Sequence, residues 1–417
     1  MLEELQRANE LLHENKVDEA IFIIDNNIKN ANLEEQFVIG ELYYEWGFFD
    51  KALNVFLKLE EELPEEGQVK FFIASIYIEL EMDNEAVEVL TKIEPHDDFY
   101  LQALMQLADL YESQGLFEVA ELKLREAKSI KPDEIIIDFA LGELLFSIGE
   151  YNKAVIHYEI VVKEQEEITE ININERLAES LAMISKYEEA LNYYSKIKDM
   201  DNDMLFKYGF IASQINKNDI AIKAWEKLVE QDKEYHSVYV ELAKVYQKEG
   251  MNKEAYDILQ EGLKVDEFDK ELYFMTGKLA SEFGDFAQSE VHLREAINLD
   301  NDYKQAVIFL INILKDNDRY LEIIDLIIEI KRMGAEDPDY DWELARAYNE
   351  MEEFEKASEY YELASNHLLT DTTFLKEYGY FLVEDGKSEQ AILIFKKYLE
   401  IEPMDSEIIS FISRIEL

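Results

Sequence analysis

The chain has 417 residues, no cysteine, five prolines and 14 glycines, and 48% of it is hydrophobic. Disulfides, zinc–thiolate sites and thiol catalysis are excluded, and the composition favours helix over disorder. The formal charge is −52, with 45 acidic and 17 basic residues in 1–200 and 48 and 24 in 201–417, so the acidity is spread along the chain. Such a surface repels nucleic acid and anionic membrane, attracts basic partners, and keeps a long protein from self-associating.

The N-terminal stretch Met1-Leu2-Glu3-Glu4-Leu5-Gln6-Arg7 is polar and amphipathic, without a secretory apolar core. The longest apolar runs, such as Ala306 to Ile311, are too short to span a bilayer. A cytoplasmic location, without membrane insertion, is the expectation.

From here the chain repeats. A small anchor recurs at Ala20, Ala52, Ala86, Ala120, Ala154, Ala190, Ala221, Ala255, Ser289, Ile323, Ala357 and Ala391, mostly 34 residues apart. Twelve positions before each anchor stands a second small residue: Ala8, Gly40, Ala74, Ala108, Gly142, Ala178, Gly209, Ala243, Gly277, Ala345 and Gly379, with Ile311 as the exception. Five before the anchor is a third site, with Gly47, Gly115, Gly149, Gly250, Gly284 and Gly386. Apolar residues flank the second site at helical spacing, as Ile39 and Tyr43 do around Gly40, which predicts a first helix. The glycine supplies a positive φ that ends it. A second helix then carries the anchor and a large residue such as Phe56, Tyr158, Tyr194, Trp225, Tyr361 or Phe395, expected to fill the seam with the next repeat. Pro64, Pro132 and Pro403 fall where that second helix should stop.

Three stretches depart from the pattern. Spacings of 36 and 31 around Lys163 to Asp203 predict either a local bend or a longer second helix. Within that stretch Asp199, Asp201 and Asp203 have calcium-loop spacing, but Met204 and Phe210 occupy the positions that need glycine and glutamate. The tenth repeat, with Ile311 and Ile323 at both small sites, should pack more loosely. The tail, 404–417, carries Ile408, Ile409, Phe411, Ile412 and Ile415 and reads as a capping helix.

This spacing resembles the tetratricopeptide-repeat (TPR) family, whose unit is a 34-residue helix–turn–helix, and in particular all-repeat TPR proteins of low-GC Gram-positive bacteria. The resemblance implies an all-α fold, a right-handed α-solenoid superhelix of about twelve units over 1–403, closed by the capping helix. It also implies that the first helices line a concave groove that takes protein or peptide partners. The opening tryptophan of many family units is replaced here, for example by Leu104 or Tyr239.

On that template, Glu41, Asp109 and Glu143 follow the small site in the N-terminal half, interleaved with Phe37, Tyr44, Phe71, Ile78, Met105, Phe139 and Phe146. An acidic, aromatic track suits a basic partner segment with apolar anchors. In the C-terminal half the equivalent and neighbouring positions hold Lys244, Lys278, Asn312, Lys315, Arg346 and Asn349. They predict either a locally positive groove or cations that neutralise acids of the second helices. Such a groove would take an acidic segment, whether of another protein or of a second copy in a homodimer. The family's carboxylate clamp would fall on Val240, Ile308, Glu343, Thr373 and Glu377, and its pattern is absent.

No catalytic motif is present: the six histidines form no His-Glu-x-x-His pattern, and there is no phosphate-binding glycine loop. His157, beside Tyr158, reads as a surface or seam residue. The expected function is a non-catalytic binding scaffold needing no cofactor or metal, with a peptide-sensing receptor of ligand-dependent pitch as the alternative.

Overall fold

A computed structural model describes residues 2–415 of the chain. The described residues fall into two compact units, Met1–Met200 and Asp201–Leu417. The first holds six antiparallel helix pairs: α1 Leu2–His13 with α2 Val17–Asn27, α3 Leu33–Glu45 with α4 Phe49–Glu62, α5 Gly67–Glu79 with α6 Asp83–Leu90, α7 Tyr100–Ser113 with α8 Phe117–Ile130, α9 Ile135–Ser147 with α10 Tyr151–Glu164, and α11 Ile173–Met183 with α12 Tyr187–Tyr194. The second holds α13 Asn202–Gln214 with α14 Asn218–Gln231, α15 Ser237–Lys248 with α16 Asn252–Val265, α17 Lys270–Glu282 with α18 Phe286–Leu299, α19 Lys304–Lys315 with α20 Tyr320–Arg332, α21 Pro338–Glu350 with α22 Phe354–Leu368, and α23 Thr372–Glu384 with α24 Ser388–Ile401. A last helix, α25 Ser406–Ile415, follows.

The turn inside every pair has one conformation. Asn15, Gly47, Glu81, Gly115, Gly149 and Ser185 in the first unit, and Asn216, Gly250, Gly284, Asp318, Glu352 and Gly386 in the second, all have φ between 54° and 79°. The next residue's N–H reaches back to the helix, as Phe48 N donates to Tyr43 O at 2.8 Å, satisfying a carbonyl the helix end would orphan. Glycine adopts this conformation freely; the other six residues take it with the same closing hydrogen bond, as Arg319 N–H to Leu314 O at 2.9 Å.

That packing rests on the small sites. A Cβ added at Gly40 would meet the Phe56 ring at 2.8 Å, and one at Gly209 would meet the Trp225 indole at 2.4 Å. The large residue therefore seats on the small residue of its own pair. It does not serve only the next repeat: Phe56 seals its own hairpin and then stacks on Phe72 of α5 at 5.0 Å. Trp225 also donates Nε1–H to Phe206 O at 3.1 Å, so the buried indole leaves no polar atom unpaired.

Around Lys163 to Asp203 the alternative of a longer second helix is not realised. Helix α10 ends at Glu164 as its counterparts do, and the extra residues make a two-stranded hairpin, β1 Glu167–Ile168 and β2 Ile171–Asn172. Glu167 faces Asn172 and Ile168 faces Ile171. The all-helical expectation thus acquires one small β element. Asp201, one of the calcium-like aspartates, caps α13 by accepting Met204 N–H at 2.8 Å.

In the tenth pair Ile311 and Ile323 are both fully buried, and the backbones of α19 and α20 approach one another less closely than those of the other pairs. Two branched side chains hold apart what glycine and alanine let touch. Helix α25 buries Ile408 and Ile412 and sets Phe411 against Tyr380 and Phe395, covering the end of the last pair, while Ile409 stays exposed. The Ile415 side chain lies outside the described residues.

Two substitutions test these rules. Glu352→Gly relieves a left-handed residue at an exposed turn and should stabilise the protein by about 0.5–1 kcal/mol. Ser289→Ala removes a fully buried hydroxyl that has no hydrogen-bond partner and should add about 1 kcal/mol. Urea denaturation of each variant measures both effects, and a loss of stability in either contradicts the packing account.

Candidate functional site

Within each unit the first helices are apolar on most sides because, after the first pair, each packs against its own partner and against the second helix of the pair before it. Helix α9, Ile-Ile-Ile-Asp-Phe-Ala-Leu-Gly-Glu-Leu-Leu-Phe-Ser, shows this most plainly. Polar groups are left along one remaining face, and consecutive first helices join through it. In the first unit Gln106 Nε2 donates to Ser75 Oγ at 3.4 Å, Ser147 Oγ to Glu112 at 3.1 Å, and Arg176 Nε to Glu143 at 3.0 Å. In the second unit Lys244 pairs with Glu271 at 3.0 Å, Lys315 with Glu343 at 2.6 Å, Arg346 with Glu377 at 2.5 Å, and Lys376 with Glu407 at 3.2 Å. These contacts place several of the expected groove residues on one shared face within each unit.

Within the first unit the aromatics form a wall. Phe37 meets Phe72 edge-on at 5.3 Å, Tyr44 meets Phe49 at 5.8 Å, and Phe71 meets Phe99 at 5.7 Å. Phe37, Tyr44, Phe71, Ile78 and Met105 are half-buried, leaving part of each side chain available. Phe139 is not: it is buried in the core and does not serve as a groove anchor.

The acids divide into two kinds. Glu143 accepts from the Tyr158 hydroxyl and from Arg176, which lies over the Phe146 ring at 5.1 Å. Glu41 and Asp109 carry no ion pair among the described residues. Burial raises the pKa of Glu41, with Glu45 adding to it. Asp109 keeps solvent contact, yet the protein around its carboxyl raises its pKa too, with Glu112 adding to it. Both are carboxylates lacking the cation that would stabilise their charged form.

The cations of the second unit are engaged differently from expectation. Lys244 pairs with Glu241 as well as Glu271, Lys315 with Glu343, and Arg346 with Glu343 and Glu377. These acids belong to first helices, not to the second helices whose charges the cations were expected to neutralise. Arg346 stacks on Trp342 at 3.8 Å, and Glu377 also accepts from Trp342 Nε1 and the Tyr361 hydroxyl, each at 2.8 Å. Burial alone would raise the Glu377 pKa; Arg346, Trp342 and Tyr361 outweigh it and hold the carboxyl below its ordinary value. A cleft of about 330 Å³ lies over this network, with Lys315, Arg346, Asn349 and Glu377 in its lining. A second cleft, of about 430 Å³, gathers Lys244, Lys248 and Lys278. Lys278 and Asn312 are exposed.

Sequence reasoning missed Glu377, Glu343 and Trp342 as members of this face. In the sequence Glu343 and Glu377 figure only at positions of the absent carboxylate clamp. Arg346 and Glu377, a first-helix cation and an acid in the next first helix, were the available signal.

His157, expected at a surface or seam, places Nδ1 2.9 Å from Oδ1 of the fully buried Asp138, which also receives Lys128. It staples α8, α9 and α10. No helix among the described residues is long and apolar enough to cross a membrane.

Glu377→Gln removes one of the two anionic partners of Arg346, leaving Glu343, and should cost roughly 1.5–3 kcal/mol at neutral pH, read by thermal or urea unfolding. Because the folded pKa of Glu377 is lowered, its contribution is present above the unfolded value near 4.5 and fades as pH falls through the folded one. The difference between parent and variant should shrink on acidification.

Two family models match the chain: "YpiA-like, tetratricopeptide repeats" over residues 112–166, and "YpiA-like, C-terminal tetratricopeptide repeats" over residues 338–405. The TPR repeat-containing protein YpiA of Bacillus subtilis (strain 168) is 38% identical over 414 residues, covering 99% of this chain and 98% of that protein. The TPR repeat-containing protein MJ1428 of Methanocaldococcus jannaschii is 28% identical over 191 residues, covering 43% and 32%. Among solved structures, that of YrrB, described as a TPR protein with an unusual peptide-binding site, is 15% identical, covers 44% of this chain and 95% of its own, and has a TM-score of 0.39. With repeat spacing, helix pairs and a full-length relative in agreement, the chain belongs to the YpiA-like tetratricopeptide-repeat family.

Proposed function

We propose that this protein is a non-catalytic, cytoplasmic scaffold that holds a protein or peptide partner on its first-helix face. The observation that carries the reading is the pairing state of the charges. Glu41 and Asp109 stand uncompensated on the face that also bears half-buried Phe37, Tyr44, Phe71 and Met105. The cations expected to mark the C-terminal half are largely matched by carboxylates of the protein itself. The partner this arrangement favours is a segment with lysine or arginine between apolar anchors, bound chiefly in the Met1–Met200 unit. Each pair of helices acts as one repeat unit and offers a few contacts, and several engaged together supply the affinity.

The preorganised acids explain how selectivity would arise. A cation brought beside Glu41 or Asp109 relieves a charge that burial disfavours, whereas an acidic segment would add repulsion to the same sites. In the free protein the sign is the reverse of a salt-bridged acid. A raised folded pKa means that these groups favour the fold most at low pH, and that this contribution is lost as pH rises through the raised value.

A fluorescein-labelled peptide alternating Lys or Arg with Leu and Phe tests the reading by anisotropy against the full chain. Binding should weaken about tenfold or more in the Glu41→Lys/Asp109→Lys double variant, and a charge-reversed peptide should not bind. Affinity should also drop on acidification, beginning above the ordinary carboxylate values of 4.5 and 3.8, because binding requires the ionised forms. Equal binding by parent and double variant, or by the charge-reversed peptide, rules the proposed face out.

A further inference from the structure

One place in the repeat is built unlike the others. Between α10 and α11 the β1–β2 hairpin turns on Thr169 and Glu170, with φ of 48° and 68°. Two-residue hairpin loops of this kind favour asparagine and glycine, and a β-branched threonine in the left-handed region is a true outlier. The hairpin is nonetheless held firmly. Ile168 is buried, and Ile173 N–H donates to Glu166 O at 2.9 Å across its base.

Beside that base lies a cleft of about 400 Å³ lined by Glu159, Val162, Lys163, Glu166, Asn174, Tyr193 and Lys196. It runs between the second helices α10 and α12, apart from the first-helix residues discussed above. Asn174 is 2% exposed, and its Oδ1 is buried without a hydrogen-bond partner. A buried orphan amide oxygen costs on the order of 1–3 kcal/mol unless something donates to it. Around it stand Lys163 and Glu166, for which no ion pair forms among the described residues, and Glu159, likewise unpaired. Lys196 lies over the Tyr193 ring, 4.0 Å from its centroid. Two ammonium groups, two carboxylates and an amide acceptor thus share one cleft without satisfying one another.

We propose that this cleft binds a small zwitterion of the dipeptide class. Its carboxylate would meet Lys163 and Lys196, its ammonium Glu159 and Glu166, and its amide N–H the Asn174 Oδ1. A simple anion or cation would pair with one half of this set and be repelled by the other; only a molecule carrying both charges and a donor between them uses all five groups. The cleft volume lies within the range of small-ligand pockets. The hairpin's role is to fix Glu166 beside Asn174, at the cost of a strained turn.

Isothermal titration of the full chain with dialanine, alanyl-leucine and glycyl-phenylalanine is the test. At least one should bind, and N-acetylation or C-amidation of that dipeptide should each weaken binding about tenfold or more. Asn174→Leu should abolish binding without lowering the melting temperature of the ligand-free protein. Should that variant fail to fold, the exposed Lys163→Glu/Lys196→Glu double variant decides the matter, with loss of binding expected. The proposal is overturned if none of the three dipeptides binds at millimolar concentration, if doubly capped peptides bind as well as free ones, or if the lysine variant retains full affinity.

Discussion

A small residue on a first helix, facing a large residue sixteen positions later on the second, closes the helix pairs of this chain. Gly40 faces Phe56, Gly142 faces Tyr158, Gly209 faces Trp225 and Gly379 faces Phe395, each so tightly that a Cβ would collide with the ring at 2.4–2.8 Å. Where the second-helix residue is aliphatic, the first-helix residue is usually alanine, as at Ala8 with Ile24, Ala74 with Leu90, Ala108 with Leu124 and Ala243 with Leu259. Ala178 with Tyr194, Ala345 with Tyr361 and Gly277 with Leu293 depart from that matching, so the shared feature is a small residue under a large one, as close packing of two backbones requires. The left-handed turn accompanies this contact without requiring it, since Asp318 adopts it, and Arg319 N–H closes it on Leu314 O at 2.9 Å, in the pair that lacks the clamp. Whatever the residue, the turn takes positive φ, and Glu81, Asp318 and Glu352 do so at the same place as the glycines. Ile311 opposite Ile327 shows the converse: the summed volume is too large and α19 and α20 stand apart.

Fixing the backbones this closely decides what the polar residues can do. First helices surrounded by neighbours keep one face for polar groups, and that face is shared with the next first helix. Cross-helix bonds such as Arg176 to Glu143 and Arg346 to Glu377 are therefore forced by geometry as much as selected for charge. In a chain of −52 few cations are available, and a cation on this face lies within reach of the next helix's acid. The acids outnumber them, and those left over, Glu41 and Asp109 among them, are the ones burial perturbs. The face thus sorts itself into satisfied and unsatisfied groups, and the unsatisfied ones define where a partner could add something.

The periodic part of this was legible in the sequence because it is local: glycine at the turn, a small residue twelve positions before the anchor, proline after the second helix. Helices α4, α8 and α24 stop just before Pro64, Pro132 and Pro403 for that reason. Charge pairing was not legible, because it depends on which side chains of successive repeats meet. Lys244, Lys315 and Arg346 read as a positive stripe until Glu271, Glu343 and Glu377 are placed opposite them. Phe139 misled in the same way. It has the helical register of a groove residue, but in α9 nearly every direction is covered. The hairpin at Glu167–Asn172 was visible only as a spacing of 36, which a longer helix would explain equally well.

That hairpin also shows how a repeat protein can gain a feature its unit does not encode. A regular repeat offers the same surface many times, so a distinct cleft needs a local break in period. Here two extra residues go into a hairpin, and the next first helix starts directly after it. Asn174 is the polar side chain that stands there: it is buried beside α10 residues and Glu166, and no group of the protein reaches its oxygen. In α9 the fold meets such a demand with a partner, as Asp138 meets Lys128 and His157, whereas regular pairs also bury unpartnered groups such as Ser289 Oγ and Asn218 Oδ1. What sets Asn174 apart is that it lines a cleft with charged side chains beside the hairpin, and this interruption, not the regular repeat, is where chemistry specific to this chain is to be sought.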